Sequence, residues 1–164
     1  MSVDGTDFRF PASDKFYWHS HKFKKPGVRY EVGLSIALGD IVWINGPFPA
    51  GHFPDLVIFR MGMKGLLDDG ERVECDKGYR GEFPKKAKPP HPFYDYDPKI
   101  KKMKKRLAAR HETVNSRIKQ FKSMNGLFRH NYKMHSSCFR CIVVCVQLFI
   151  EHGDTLFDCK YTNY

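Results

Sequence analysis

Three carboxylates stand out by where they fall. Asp4 lies in an apolar stretch over residues 2–10, beside Gly5. Asp76 ends a short run over residues 72–76, just before Gly78-Tyr79. Glu112 is the one acid between Lys99 and Lys133. Carboxylate oxygens brought together repel each other unless a cation intervenes. Mg²⁺ or Mn²⁺ prefers such hard oxygen donors, completed by water and phosphate. Each residue also has a plainer role. Asp-Gly is a common turn pair, and a lone Glu opposite an apolar helix stripe is a solvated side chain. A fourth carboxylate, Asp55, sits where a helix N-cap belongs, and by itself it reads first as a cap.

The charge is as uneven as the carboxylates are sparse. The 164 residues carry a net charge of +10, and twelve of the 28 Lys and Arg lie between Lys99 and Lys133. The rest of the chain is close to neutral. A basic stripe on one element is the electrostatic footprint of a nucleic-acid binder. Lys101, Lys102, Lys104, Lys105, Arg106, Arg110 and Lys119 are its candidate contacts. On charge alone, a solvated helix face or a nuclear-import signal at residues 101–106 explains it equally well.

The elements that must position these residues follow from apolar spacing. Residues 2–10 read as a strand with Val3, Phe8 and Phe10. Residues 28–38 alternate, with Tyr30, Val32, Leu34, Ile36 and Leu38 on one face, which predicts a strand buried on that face only. Gly39-Asp40 turns the chain into a second strand over 41–45. Residues 46–54, with three prolines and two glycines, read as a shaped loop. A helix is expected over 56–67 and a strand over 72–76. Residues 83–98 read as an extended connector too rich in proline for regular structure. The longest helix is expected over 99–124, packed through Leu107, Val114, Ile118 and Phe121. Glu112 then lies about 140° from the centre of that stripe. Ser136-Ser137 is expected to cap a last helix over 138–152.

Several other readings are weaker. His19 and His21 form an H-x-H within loop sequence. His130, His135, Cys138 and Cys141 suggest zinc, but the spacing fits no strong pattern and Cys138, Cys141 and Cys145 share a face with Val144 and Leu148; core packing is the expectation. Five cysteines without framework spacing suggest reduced, intracellular thiols. No run of eighteen apolar residues is present, so no membrane span is expected. No secretory pattern, internal repeat, phosphate-cradling glycine loop or nucleophile motif occurs. The length suits one domain, residues 1–164.

The order of the motifs adds what the single residues lack. Val3-Asp4-Gly5-Thr6-Asp7 is followed by Gly46-Pro47-Phe48-Pro49 and Pro54-Asp55-Leu56. Then come Cys75-Asp76-Lys77-Gly78-Tyr79, Arg110-His111-Glu112-Thr113-Val114-Asn115-Ser116-Arg117-Ile118-Lys119 and Phe128-Arg129-His130. Between Asp76 and Glu112 lie 35 residues. This series resembles the catalytic domain of DDE transposases, and within them the superfamily endonucleases of the PIF/Harbinger branch. The resemblance spans nearly the whole chain. Its strongest part is the Glu112 helix taken with the order of the motifs.

The resemblance implies an α/β, RNase H-like mixed sheet flanked by helices. It implies Asp4, Asp76 and Glu112 as catalytic ligands of Mg²⁺ or Mn²⁺, with Asp55 in reserve. It further implies DNA as substrate and a nuclear site of action. That family carries a DNA-recognition segment before its first aspartate, whereas here only Met1-Ser2-Val3 precede Asp4. The expectation is therefore an N-terminally truncated domain that relies on a separate DNA-binding partner protein. The alternative is a non-catalytic basic DNA-binding remnant or domesticated derivative of a transposase.

Overall fold

The computed structural model describes residues 1–92 and 95–161. Positions 93–94 of the expected connector and 162–164 of the tail lie outside the described residues. The fold is α/β, with a mixed sheet flanked by helices.

The sheet is built around β1 (Ser2–Arg9). Strand β3 (Lys25–Leu34) runs antiparallel along all of it, with Ser2 opposite Leu34 and Arg9 opposite Gly27. A short β2 (His19–Ser20) pairs with the start of β3. Strand β4 (Ile41–Pro49) pairs antiparallel with the far side of β3. On the other side of β1, β5 (Val73–Cys75) is parallel to it, and β6 (Ala87–Lys88) is parallel to β5. The order across the sheet is thus β4-β3-β1-β5-β6.

Two helical layers cover the two faces. Alternation along β1 sends Phe8 to one face and Val3 to the other. On the first face, Phe8, Tyr30 and Val32 pack with Val114 and Ile118 of α2 (Pro98–Gln120) and with Phe139, Val143 and Val146 of α4 (Tyr132–Glu151). Tyr30 stacks on Phe139 with ring centres 3.7 Å apart, and its hydroxyl shares a 2.8 Å hydrogen bond with His135 Nδ1. On the second face, Val3, Val73 and Ala87 pack with Phe59 of α1 (Asp55–Met61), with Met63 of the 3-10 turn Met63–Leu66, and with Tyr79.

Because both faces are covered, β3 is buried on both faces from Gly27 to Leu34, not on one. The expected strand over 28–38 ends at Leu34, and Leu38 is exposed in the following turn. Strand β4 runs on through Gly46-Pro47-Phe48-Pro49, which had read as loop. A register shift between Arg29 and Glu31 accommodates these residues, and Gly46 takes φ +129° there, a conformation that favours glycine. Two residues of the expected connector, Ala87 and Lys88, form β6.

Helix boundaries follow their caps. Asp97 accepts a hydrogen bond from Lys99 N at 2.7 Å, with Pro98 behind it, so α2 starts there. A separate turn, α3 (Lys122–Asn125), follows α2. Asn131, not Ser136 or Ser137, caps α4, accepting from Met134 N at 2.8 Å. That start adds six residues to the helix. An 18-residue window of α4 reaches a mean hydropathy of 1.3, enough by length and composition alone to cross a membrane, a test that the core helix of a soluble protein also passes. One of its faces packs on the sheet.

Candidate active site

The parallel pairing of β1 with β5 matches Val3 to Cys75. Asp4 follows Val3 within β1 and Asp76 is the first residue past β5, so the two carboxylates start from neighbouring backbone positions where the pair ends. Alternation along β1 directs Asp4 to the face covered by α2. A cleft of about 260 Å³ opens there, and Asp4, Asp76, Lys22, Lys104, His111 and Glu112 are among its lining residues. The three carboxylates expected from the sequence therefore share one cleft.

They differ in setting. Asp4 is partly buried and accepts a 2.8 Å hydrogen bond from Gly5 N. Burial pushes its carboxyl up to about 6; Lys22 opposes the shift, while Asp76 and Asp55 add to it. Asp76 is exposed and caps the 3-10 turn Lys77–Glu82, accepting from Gly78 N at 2.7 Å. Glu112 is exposed on the outer side of α2, at the rim. Its neighbour His111 is buried and shares a 3.0 Å hydrogen bond with Ser2 Oγ, which ties α2 to the first residues of β1. Burial pushes His111 down to about 4, so the ring is neutral at pH 7.

Asp55 is not the cap it resembles. It is the first residue of α1, after Pro54, and makes no side-chain cap hydrogen bond. Its carboxylate lies against Gly5, on the other side of β1 from Asp4, because successive residues face opposite ways. Arg29 Nη1 stands 3.4 Å from Asp55 Oδ1. That is an ion pair without hydrogen-bond geometry, and the oxygen has no hydrogen-bond partner. Arg29 itself holds Asp7 with two contacts, of 2.7 and 3.0 Å.

The donor set has the chemistry that suits a hard divalent cation: carboxylate oxygens from Asp4, Asp76 and Glu112, with the Asp55 carboxylate, ion-paired to Arg29, behind them. Among the described residues no three acidic, His or Cys side chains converge closely enough to enclose an ion. The type of donor fits the cation, and the spacing is open. Asp4 and Asp76 are the residues that would hold it first.

The basic residues divide. Lys101, Lys102, Lys105 and Arg106 are exposed on α2. Lys101, Lys105, Glu112 and Lys119 fall on one face by helical spacing. Lys119 is half-buried, 5.4 Å over the Phe8 ring, and burial lowers its ammonium. Lys104 reaches Asp95 at 3.0 Å and the Pro89 carbonyl at 2.9 Å, so it fastens the connector to α2. Arg110, expected as a DNA contact, is 1% exposed and donates to the carbonyls of Ile36 at 2.6 Å and Phe157 at 2.9 Å. Its role is internal.

The zinc set is likewise dispersed. His135 is buried against Tyr30 and Cys138 is partly buried, whereas His130 and Cys141 are exposed. Of the cysteine stripe of α4, Cys138 is partly buried and packs against the core as expected, whereas Cys141 and Cys145 face outward with Val144 and Leu148. His19 and His21 stack edge to face at 5.4 Å beside Lys15 and Phe16, away from the carboxylates.

Two residues of the cleft were not singled out as site residues by the sequence reading. Lys22 stands in loop sequence next to His21 with no motif of its own, and His111 was read only as part of the glutamate motif. No family model, curated protein or solved structure matches the chain.

Proposed function

We propose that the chain is a metal-dependent DNA endonuclease domain of the DDE type, RNase H-like and akin to PIF/Harbinger transposases. The observation that carries this reading is the β1–β5 register, which sets Asp4 and Asp76 at neighbouring backbone positions in a cleft that Glu112 also lines. The strand order β4-β3-β1-β5-β6, with β3 alone antiparallel to its neighbours β1 and β4, agrees with the RNase H-like assignment.

Bound Mg²⁺ or Mn²⁺ would activate water or a 3′-hydroxyl and stabilise the leaving oxygen. Asp4, inside β1, and Asp76, just past β5, would hold that charge, with Glu112 lining the same cleft from α2. Lys101, Lys105 and Lys119 lie along the same helix face and neutralise backbone phosphates leading to the cleft. His111, next to Glu112, anchors α2 to the start of β1 through Ser2. A nuclear site of action and a separate DNA-recognition partner belong to the same reading.

A second reading has its own support. Glu112 is at the rim and no enclosing group of ligands is formed among the described residues, as befits a derivative that binds DNA without cutting it. Nicking of supercoiled plasmid with Mg²⁺ or Mn²⁺ separates the two. The endonuclease nicks, and Asp76→Ala and Glu112→Ala each abolish nicking. A folded wild-type protein that retards DNA yet leaves the plasmid intact with both metals overturns the catalytic reading in favour of the second.

A further inference from the structure

The cleft contains a positive charge that the carboxylate triad does not explain. Lys22 sits in the turn between β2 and β3, and its ammonium reaches over β1 to the Gly5 carbonyl at 2.6 Å. Gly5 is the residue next to Asp4, and Lys22 lines the cleft together with Asp4, Asp76 and Glu112.

The turn beneath it is firmly held. Ser20 pairs with Lys25 across the hairpin. Lys24 takes φ 59° and donates to the Ser20 carbonyl at 2.9 Å. Lys22 N donates to Ser20 Oγ at 3.2 Å, and Ser20 Oγ donates in turn to Asp7 Oδ2 at 2.6 Å. Asp7 is locked to Arg29. The backbone is thus fixed, while the Lys22 side chain is exposed and joined by rotatable bonds. Its charge acts on Asp4, and also on Asp55 from across β1.

We propose that Lys22 is a tethered cation that competes with a divalent metal ion for the Asp4–Asp76 cleft, so that the hairpin over residues 19–25 sets the metal affinity of the site. A compact ammonium and a hard divalent ion seek the same carboxylate oxygens, and each lowers the attraction for the other. Metal entry then requires the Lys22 side chain to swing outward, where a DNA phosphate can take it up. The inference rests on the metal-binding reading of the cleft.

The test is Mn²⁺ binding by the full chain at low ionic strength, followed by the loss of the free-ion electron paramagnetic resonance signal. Lys22→Met is expected to bind about tenfold more tightly than wild type, since one positive charge has left the cleft. Lys22→Arg keeps the charge and is expected to bind like wild type. Asp4→Asn is expected to lose the binding, which locates it. If Lys22→Met binds no more tightly than wild type while Asp4→Asn still loses the ion, the competition is overturned and the metal reading stands. If Mn²⁺ binding does not depend on Asp4 in any variant, the metal reading fails and takes this inference with it.

Discussion

Asp55 Oδ1 stands where a side chain on Gly5 would be: a Cβ there would come within 2.1 Å of it. The contact joins α1 to β1 directly behind Asp4. Arg29 fixes the carboxylate from the other side, so the oxygen has little room to yield. Gly5→Ala is therefore expected to destabilise the protein by about 1–3 kcal/mol, the usual range for overpacking. Urea denaturation measures it. In an Asp55→Ala background the same change should cost much less, because the obstructing atoms are gone. Equal costs in the two backgrounds would show that the Gly5–Asp55 contact is not the cause.

Burial raises two carboxyls, the buried Glu31 and the partly buried Asp4, and so ties part of the stability to pH. Glu31 is 1% exposed and accepts from Trp43 Nε1 at 2.9 Å and Tyr79 at 3.3 Å. Burial nonetheless pushes it up to about 7, from an ordinary 4.5, and pushes Asp4 from 3.8 to about 6. Between the ordinary and raised values the folded chain binds more protons than the unfolded one. The share of stability these two carboxyls contribute therefore falls as pH rises through that window, from about 4 to about 7, while His111 and His135, pushed down to about 4 by burial, contribute a share that rises with pH over its lower part. Glu31 accounts for on the order of 3 kcal/mol of the carboxyl share. Chemical denaturation at successive pH values should therefore show the stability of Glu31→Gln relative to wild type rising from pH 4 to 7. A difference between the two proteins that does not change with pH would contradict the assignment.

Arg110 and Lys101 both looked like phosphate contacts, yet they should behave in opposite ways. Arg110 is buried with its guanidinium on the Ile36 and Phe157 carbonyls. Arg110→Ala strands those acceptors and is expected to cost about 3–5 kcal/mol. Lys101 is exposed. Lys101→Ala is expected to change stability by less than about 0.5 kcal/mol. If α2 binds DNA, it should also reduce the salt dependence of binding by about one charge. Thermal melts and binding isotherms at several salt concentrations read both effects.

That pair also shows how much a sequence can say. The apolar spacing of Leu107, Val114 and Ile118 located α2 and its buried side, because burial follows a helical period. It could not say that Arg110, one turn from Leu107, would be drawn inward by carbonyls of residues 36 and 157, which are distant in sequence. Asp4 was legible as a carboxylate inside the first strand and Asp76 as one ending a short strand. Their neighbouring register is a property of a parallel pair closed across 71 intervening residues. Asp55 misled because its position has every local mark of a cap, while its partner, Arg29, lies on another strand. Lys22 carried no local signal at all, since its meaning comes from the Gly5 carbonyl beneath it.

The outward stripe of α4 makes the last prediction. Cys141 and Cys145 are exposed beside Val144, at 58%, and Leu148, at 48%. Cys159 is buried and points its sulfur at the Met103 carbonyl, 3.9 Å away. Burial pushes the Cys75 thiol well up, next to the negative charge of Asp76. Thiolate, not thiol, reacts with disulfide reagents. An aromatic disulfide reagent should therefore label Cys141 and Cys145 rapidly in the native protein, and Cys75 and Cys159 only on unfolding. Peptide mapping after a short pulse identifies the sites. Protection of Cys141 and Cys145 in the isolated chain would mean that this face of α4 is covered in solution. Protection that disappears on dilution would identify the cover as a second copy of the chain.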